Sequence, residues 1–123
     1  MAVIGLATTG YSEEPLAQGD FIEKRKSISG SWSIQQDKDG RFIVLGDDFK
    51  AKNGPDLKLF LSPISIDKVT GKTAIEGSYF VADLKRIKGA QQYRIPDDVD
   101  LSIYLSLLVH CEKYAVLWGG GAL

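Results

Sequence analysis

From Asp20 onward the chain reads as short runs of apolar and polar residues divided by turn chemistry. Trp32 and Ile34 alternate with Ser31, Ser33 and Gln35, the period of two expected of a half-buried strand. Asp37-Lys38-Asp39-Gly40 supplies a turn, and Arg41 to Leu45 is β-branched and aromatic, so the two runs predict a hairpin. Breaks follow at Gly46-Asp47-Asp48 and at Asn53-Gly54-Pro55-Asp56, with the brief run Phe49 to Ala51 between them. Leu57, Leu59 and Leu61 then alternate with Lys58, Phe60 and Ser62, which predicts a strand with an aliphatic inner face and Lys58 toward solvent. Gly54-Pro55-Asp56 before it is expected to be an architectural turn, with Gly free to take a positive φ, Pro restricting φ and Asp bonding a nearby amide.

Pro63 ends that strand, Ile64 to Thr73 reads as a surface loop or small hairpin, and Gly77 to Leu84 supplies a further strand. Asp100 to Tyr104 has the spacing of a short helical turn with an aspartate in position to cap it. Leu105, Leu107, Val109 and Cys111 then alternate strictly, predicting a strand to Glu112. Tyr114 to Trp118 predicts the last one, joined to it by a tight turn or continuous with it through a bulge. Gly119-Gly120-Gly121 is expected to loosen the end of the chain. With no longer helix supported by period, the fold class is all-β: a single-domain antiparallel β-sandwich or barrel-like fold with at most one short helical turn.

At 123 residues the chain suits one core rather than two. A hydrophobic fraction of 44% excludes wholesale disorder. Residues 1–18 read as a flexible leader, a trimmed signal or anchor remnant, and residues 19–123 as the domain. No window reaches the run of about 18 apolar residues that spans a bilayer as a helix. The formal net charge of −1 provides no global attraction to nucleic acid.

The one cysteine cannot form an intrachain disulfide or a multi-cysteine metal cluster, and with the one histidine it makes no metal site by itself. By alternation Cys111 turns inward, where most cysteines are small apolar filler. His110 projects to the opposite face, exposed beside Glu112, so the two cannot form a thiolate–imidazole pair on a regular strand. Asp97, Asp98 and Asp100, like Asp47 and Asp48, are explained by capping and turns rather than by calcium, since the EF-hand glycine and glutamate are missing. The basic runs Lys24-Arg25-Lys26 and Lys85-Arg86 with Lys88 suit solvated strand edges. No Ser–His–Asp order, phosphate-binding loop or dinucleotide glycine pattern is present, so no hydrolase or transferase chemistry is supported.

Phe49 followed by Gly54-Pro55-Asp56-Leu57 and Leu61-Ser62 comes first in a longer series. Leu84, Lys88-Gly89, Gln91, Tyr93 and Ile95-Pro96 follow, and then Leu108-Val109 before Cys111 and Tyr114-Ala115-Val116 leading to Ala122-Leu123. In this order and spacing, from about Gly19 to Leu123, the chain resembles the DM-thirteen family of electron-transfer domains, often found beside DOMON domains. The resemblance implies a β-rich domain whose characteristic cysteine falls on Cys111, acting as a redox thiol or haem ligand. Gly54, Pro55, Asp56, Tyr93 and Pro96 carry its structural motif. It also implies a redox protein or domain as partner and an extracytoplasmic location, exported or surface-associated.

Two positions depart from the family pattern. His110 stands where an aromatic is expected before the cysteine, and Lys26 stands four residues before Gly30, where many relatives carry histidine. Haem, with Cys111 and His110 as the candidate cofactor-binding residues, is therefore not the favoured expectation. The leading expectation is a redox or electron-transfer module that uses Cys111 with a partner protein. The competing expectation is a non-catalytic β-sandwich interaction module in which the cysteine is structural.

Overall fold

A computed structural model describes residues 14–123. The strands in chain order are β1 (Ala17–Asp20), β2 (Ile22–Glu23), β3 (Ile28–Ser29), β4 (Ser31–Asp37), β5 (Gly40–Leu45), β6 (Lys50–Ala51), β7 (Leu57–Ser62), β8 (Tyr79–Asp83), β9 (Gln91–Ile95), β10 (Ser106–Cys111) and β11 (Val116–Ala122). A four-stranded sheet of order β1-β4-β5-β9 faces a five-stranded sheet of order β2-β11-β10-β7-β8, and β3 pairs with β6 at one end. The pairings are antiparallel. Among the described residues the one helical element is a 3-10 turn, Leu101–Ile103, whose cap Asp100 accepts from the Ser102 amide. The chain is thus the all-β antiparallel sandwich expected.

Alternation builds the core. From β4, β5 and β9 come Trp32, Ile34, Ile43, Leu45, Tyr93 and Ile95, and against them pack Leu57, Leu59, Leu61, Leu107, Val109 and Cys111 of β7 and β10. The hairpin is in the expected register, Trp32 opposite Leu45 and Ile34 opposite Ile43, closed where Asp37 Oδ1 accepts from the Asp39 amide at 2.7 Å. Strand β1 begins at Ala17, paired with Ile34, two residues before the expected start of the domain at Gly19. The rest of the expected leader, up to residue 13, lies outside the described residues.

Three expectations are corrected. The stretch Ile64 to Thr73 is not a free surface loop: with the residues up to Ser78 it lies as a strap over the outer face of the five-stranded sheet. There Ile66, Val69 and Ala74 bury Phe60, Leu108 and Leu117 in a second core. Strands β7 and β10 are consequently covered on both sides, and Ser106 Oγ donates to the Ile64 carbonyl, tying the strap down. Leu105, expected to point inward with Leu107, is exposed before β10 begins.

The third correction concerns the glycines at the end. Gly119, Gly120 and Gly121 are buried residues of β11, not a loosened tail. A Cβ on Gly121 would stand 2.3 Å from Trp32 Nε1, so the indole lies directly on the glycine backbone. The turn Glu112 to Ala115 closes β10 onto β11, with Ala115 in the left-handed region at φ 53. A register shift after Val109 makes Trp118 an extra residue of β11, so the tight turn and the bulge both occur.

Candidate functional site

Cys111 is the last residue of β10, opposite Leu57 on β7 and Val116 on β11. Its inward orientation is as alternation requires, and its exposure is 1%. It is a free thiol. At the end of the sandwich it forms part of the wall of a groove of about 310 Å³, to which it presents only a sliver of surface. Pro55, Tyr114, Val116 and Trp118 supply the apolar lining, and Lys26 and Lys52 the cations.

Each wall has a local cause. Trp118 is the bulged residue of β11, and its Nε1 donates to the Lys52 carbonyl at 2.8 Å, which fixes the indole plane. Gly54 is required here for closeness rather than for a positive φ: a Cβ would lie 2.8 Å from Trp118 Cζ2. Asp56 staples the two sides of the groove, its Oδ2 accepting from the Lys113 amide at 2.9 Å and its carbonyl from the Glu112 amide at 3.2 Å. Lys58 bridges the same pair of segments, 2.6 Å from Glu112 and 3.4 Å from Asp56. That side chain is therefore half-buried in an ion network instead of solvated alone. Lys26 and Lys52 meet at the rim because the Lys52 amide donates to the Ser27 carbonyl where β3 pairs with β6.

His110 does project to the face opposite Cys111, but the expectation that it is exposed beside Glu112 is wrong. The strap covers that face and leaves the ring 1% exposed, edge-on to Phe60 with centroids 5.9 Å apart. Among the described residues its Nδ1 has no hydrogen-bond partner. Burial pushes its pKa below the usual histidine value, against the pull of Glu112 and Asp56. A sheet thus separates the two residues named as cofactor ligands.

That separation is the test of haem. Iron is held from the protein by groups such as imidazole or thiolate that point at one site. Cys111 and His110 do not point at one site, and a single ligand would need an open donor atom, whereas each of the two residues is only 1% exposed. These residues do not fit the group.

Tyr93 and Pro96 do not reach the site. The Tyr93 hydroxyl accepts from the Lys85 amide at 2.8 Å and bonds Gln91 Oε1, while Gln91 Nε2 donates to the carbonyls of Arg86 and Gly89. Burial raises the Tyr93 pKa, opposed by the Lys85 amide and the charge of Arg86. Together they fold the segment 85–89 against β9. The Pro96 carbonyl accepts from Arg41 Nη2 at 2.7 Å at the other end of the sandwich. Lys113, near the thiol in sequence, stands instead over the exposed Tyr114 ring at 5.4 Å. Sequence reasoning missed Lys52, Tyr114 and Trp118 as neighbours of Cys111, because they converge from separate elements and no spacing along the chain announces it.

Fold and site together define an antiparallel β-sandwich with one free thiol in the wall of a cation-rimmed groove at its end. The family model described as electron transfer DM13 matches residues 20–121, and the chain belongs to that family. No curated protein and no solved structure matches it.

Proposed function

We propose that this electron-transfer domain acts through Cys111 as a redox thiol that exchanges with a disulfide of a partner protein outside the cytoplasm. The observation that carries the reading is the placement of the only thiol in the wall of a groove, under a turn whose residues Glu112 to Ala115 are exposed. Thiol–disulfide exchange needs a thiolate and an in-line approach to one sulfur of the partner. The Cys111 proton leaves to solvent and the thiolate sulfur bonds to one partner sulfur. The partner S–S bond breaks, and its second sulfur departs as a thiolate. The electron pair of the Cys111 thiolate thus ends on the departing partner thiolate, and Cys111 stays joined to the partner as a mixed disulfide. Lys26 and Lys52 at the rim give the approach to the groove a positive charge that suits an anionic partner surface.

At 1% exposure the sulfur is met only after the rim yields, so exchange is slow unless a partner displaces the Tyr114 turn. The test is the reaction of folded protein with a dipyridyl disulfide, followed by intact mass and by denaturant dependence. Modification of folded protein faster than global unfolding, absent in Cys111→Ser, is the expected result. A thiol that reacts only at the rate and denaturant slope of global unfolding would make Cys111 a core residue, and the domain an interaction module.

A further inference from the structure

Formal charges that nearly cancel along the chain do not cancel in space. Lys26, Lys50, Lys52, Lys85, Arg86 and Lys88 are all exposed at the end of the sandwich that carries Cys111. None of them takes part in an ion pair among the described residues, where the pairs join Lys58 to Asp56 and Glu112, and Arg94 to Asp97. Those pairs also use up two of the nearby carboxylates, and Asp48 is engaged by Ser31. A second groove, about 540 Å³, lies on the far side of the Gly54-Pro55-Asp56 turn, with Lys85 and Arg86 in its wall and Asp83 as its one carboxylate free of an ion pair. Asp37, Asp39, Asp97, Asp98 and Asp100 gather at the opposite end, beyond the length of β5, about 17 Å away at strand rise. Lys38, Arg41 and Arg94 offset part of that acidic end, and Asp20, Glu23 and Asp47 part of the basic one, so the domain carries a modest dipole with its positive end at the thiol.

A further feature marks that end as incomplete by itself. Lys50 and Lys88 are held directly opposite each other in an isolated antiparallel bridge, locked by the Ala51 amide on the Ile87 carbonyl and the Gly89 amide on the Phe49 carbonyl. Like charges so placed repel. The backbone keeps them there, and an anionic group against the bridge would relieve the repulsion. Between the cations lie apolar contacts that a pure polyanion does not use: the Tyr114 ring, 61% exposed, and Ile87, 37% exposed, with Pro55 between the two grooves.

We propose that this end of the sandwich is the docking face for an acidic protein surface that also carries aromatic or aliphatic side chains, drawn onto the Cys111 groove by the dipole. The proposal rests on the redox reading for its purpose and names that partner's chemistry. Complementary charge raises encounter rates and sets orientation, while the interleaved apolar groups hold the complex once formed.

The test uses amide NMR of the full chain titrated with a short peptide alternating Glu and Tyr, and with a heparin fragment of equal charge. Perturbed amides are expected along 24–26, 50–57, 84–89 and 112–118, with binding that weakens as salt rises through about 0.1 M, where the screening length is about 10 Å. Lys26→Glu with Lys52→Glu should weaken the peptide by about tenfold or more, and Lys38→Glu, in the exposed hairpin turn at the opposite end, should leave it nearly unchanged. Binding that maps to the Asp97–Asp100 end, ignores salt or survives the charge reversal would overturn the docking face, as would a heparin fragment that binds more tightly than the peptide. Loss of docking with disulfide exchange intact would sink this proposal alone, and loss of exchange with docking intact would sink only the thiol chemistry.

Discussion

Replacing Gly121 with alanine adds one methyl group at a place where the sandwich has no room for it. The new Cβ would stand 2.3 Å from Trp32 Nε1 and 2.6 Å from the two adjoining indole carbons, whereas ordinary contact begins near 3.4 Å. The indole must retreat by about 1 Å, and its exposure of 2% shows it enclosed on its other sides. Overpacking of this kind costs about 1–3 kcal/mol. Alanine returns about 0.4–1 kcal/mol by restricting the unfolded chain, so the net loss is about 1–2 kcal/mol. For a domain of this size that lowers Tm by roughly 5–10 °C. Urea denaturation followed by far-UV circular dichroism measures it. The same substitution in a Trp32→Phe background isolates the cause, because phenylalanine lacks the indole edge that the methyl meets. It also removes a buried Nε1 that has no hydrogen-bond partner among the described residues. The cost should shrink by at least half there. A Gly121→Ala protein as stable as wild type, or an equal cost in both backgrounds, would refute the packing of the glycine strand on Trp32.

Leu59, with no exposed surface and flanked by both sheets, should lose about 2–5 kcal/mol on truncation to alanine, read from the urea midpoint; an unchanged midpoint would remove it from the core. Asp56→Ala strips the Lys113 amide and Lys58 of a partner and should cost about 1–2 kcal/mol while speeding thiol modification, since the staple over the groove opens; lost stability with an unchanged thiol rate would separate the staple from the site. His110 is held neutral by burial, its folded pKa lying below the 6.5 of the free side chain, with Glu112, Asp56 and Lys58 around it. Its contribution is therefore complete above pH 6.5 and is lost as pH falls from there toward the folded value, because only the unfolded chain takes the proton. His110→Phe should flatten the stability profile below pH 6.5, and an unchanged profile would show the ring to be protonated in the fold.

Strands whose side chains obey a period of two were legible from the chain alone: the β4–β5 hairpin, the leucine face of β7 and the inward set Leu107, Val109 and Cys111 of β10. The other face of the same strands was not. Phe60, Leu108 and His110 sit where alternation implies solvent, and they are buried by a strap whose apolar residues Ile64, Ile66, Val69 and Ala74 follow turns and so show no period. Gly119 to Gly121 carried the opposite meaning from the one their composition suggests, because a glycine that frees the chain and a glycine that admits an indole look the same until Trp32 is placed above it. Strand β9 hides for a related reason: its inner positions include Gln91, a polar residue buried by its bonds to the segment 85–89. At the site, the inward turn of Cys111 followed from sequence, whereas the meeting of Lys26, Lys52, Tyr114 and Trp118 depends on four chain segments finding one another.

The double cover of β10 has a consequence in time. A strand enclosed by β7 and β11 at its edges, by the opposing sheet on one face and by the strap on the other exchanges its amide hydrogens only when the whole domain opens. The turn that begins immediately after Cys111 is exposed from Glu112 to Ala115 and rests on a few bonds, so its amides exchange by local opening. The sulfur lies at the seam between these two regimes. Deuterium uptake should accordingly step from its slowest values at Leu107 to His110 to fast values at Tyr114 and Ala115, and the thiol marks the residue at which one clock hands over to the other.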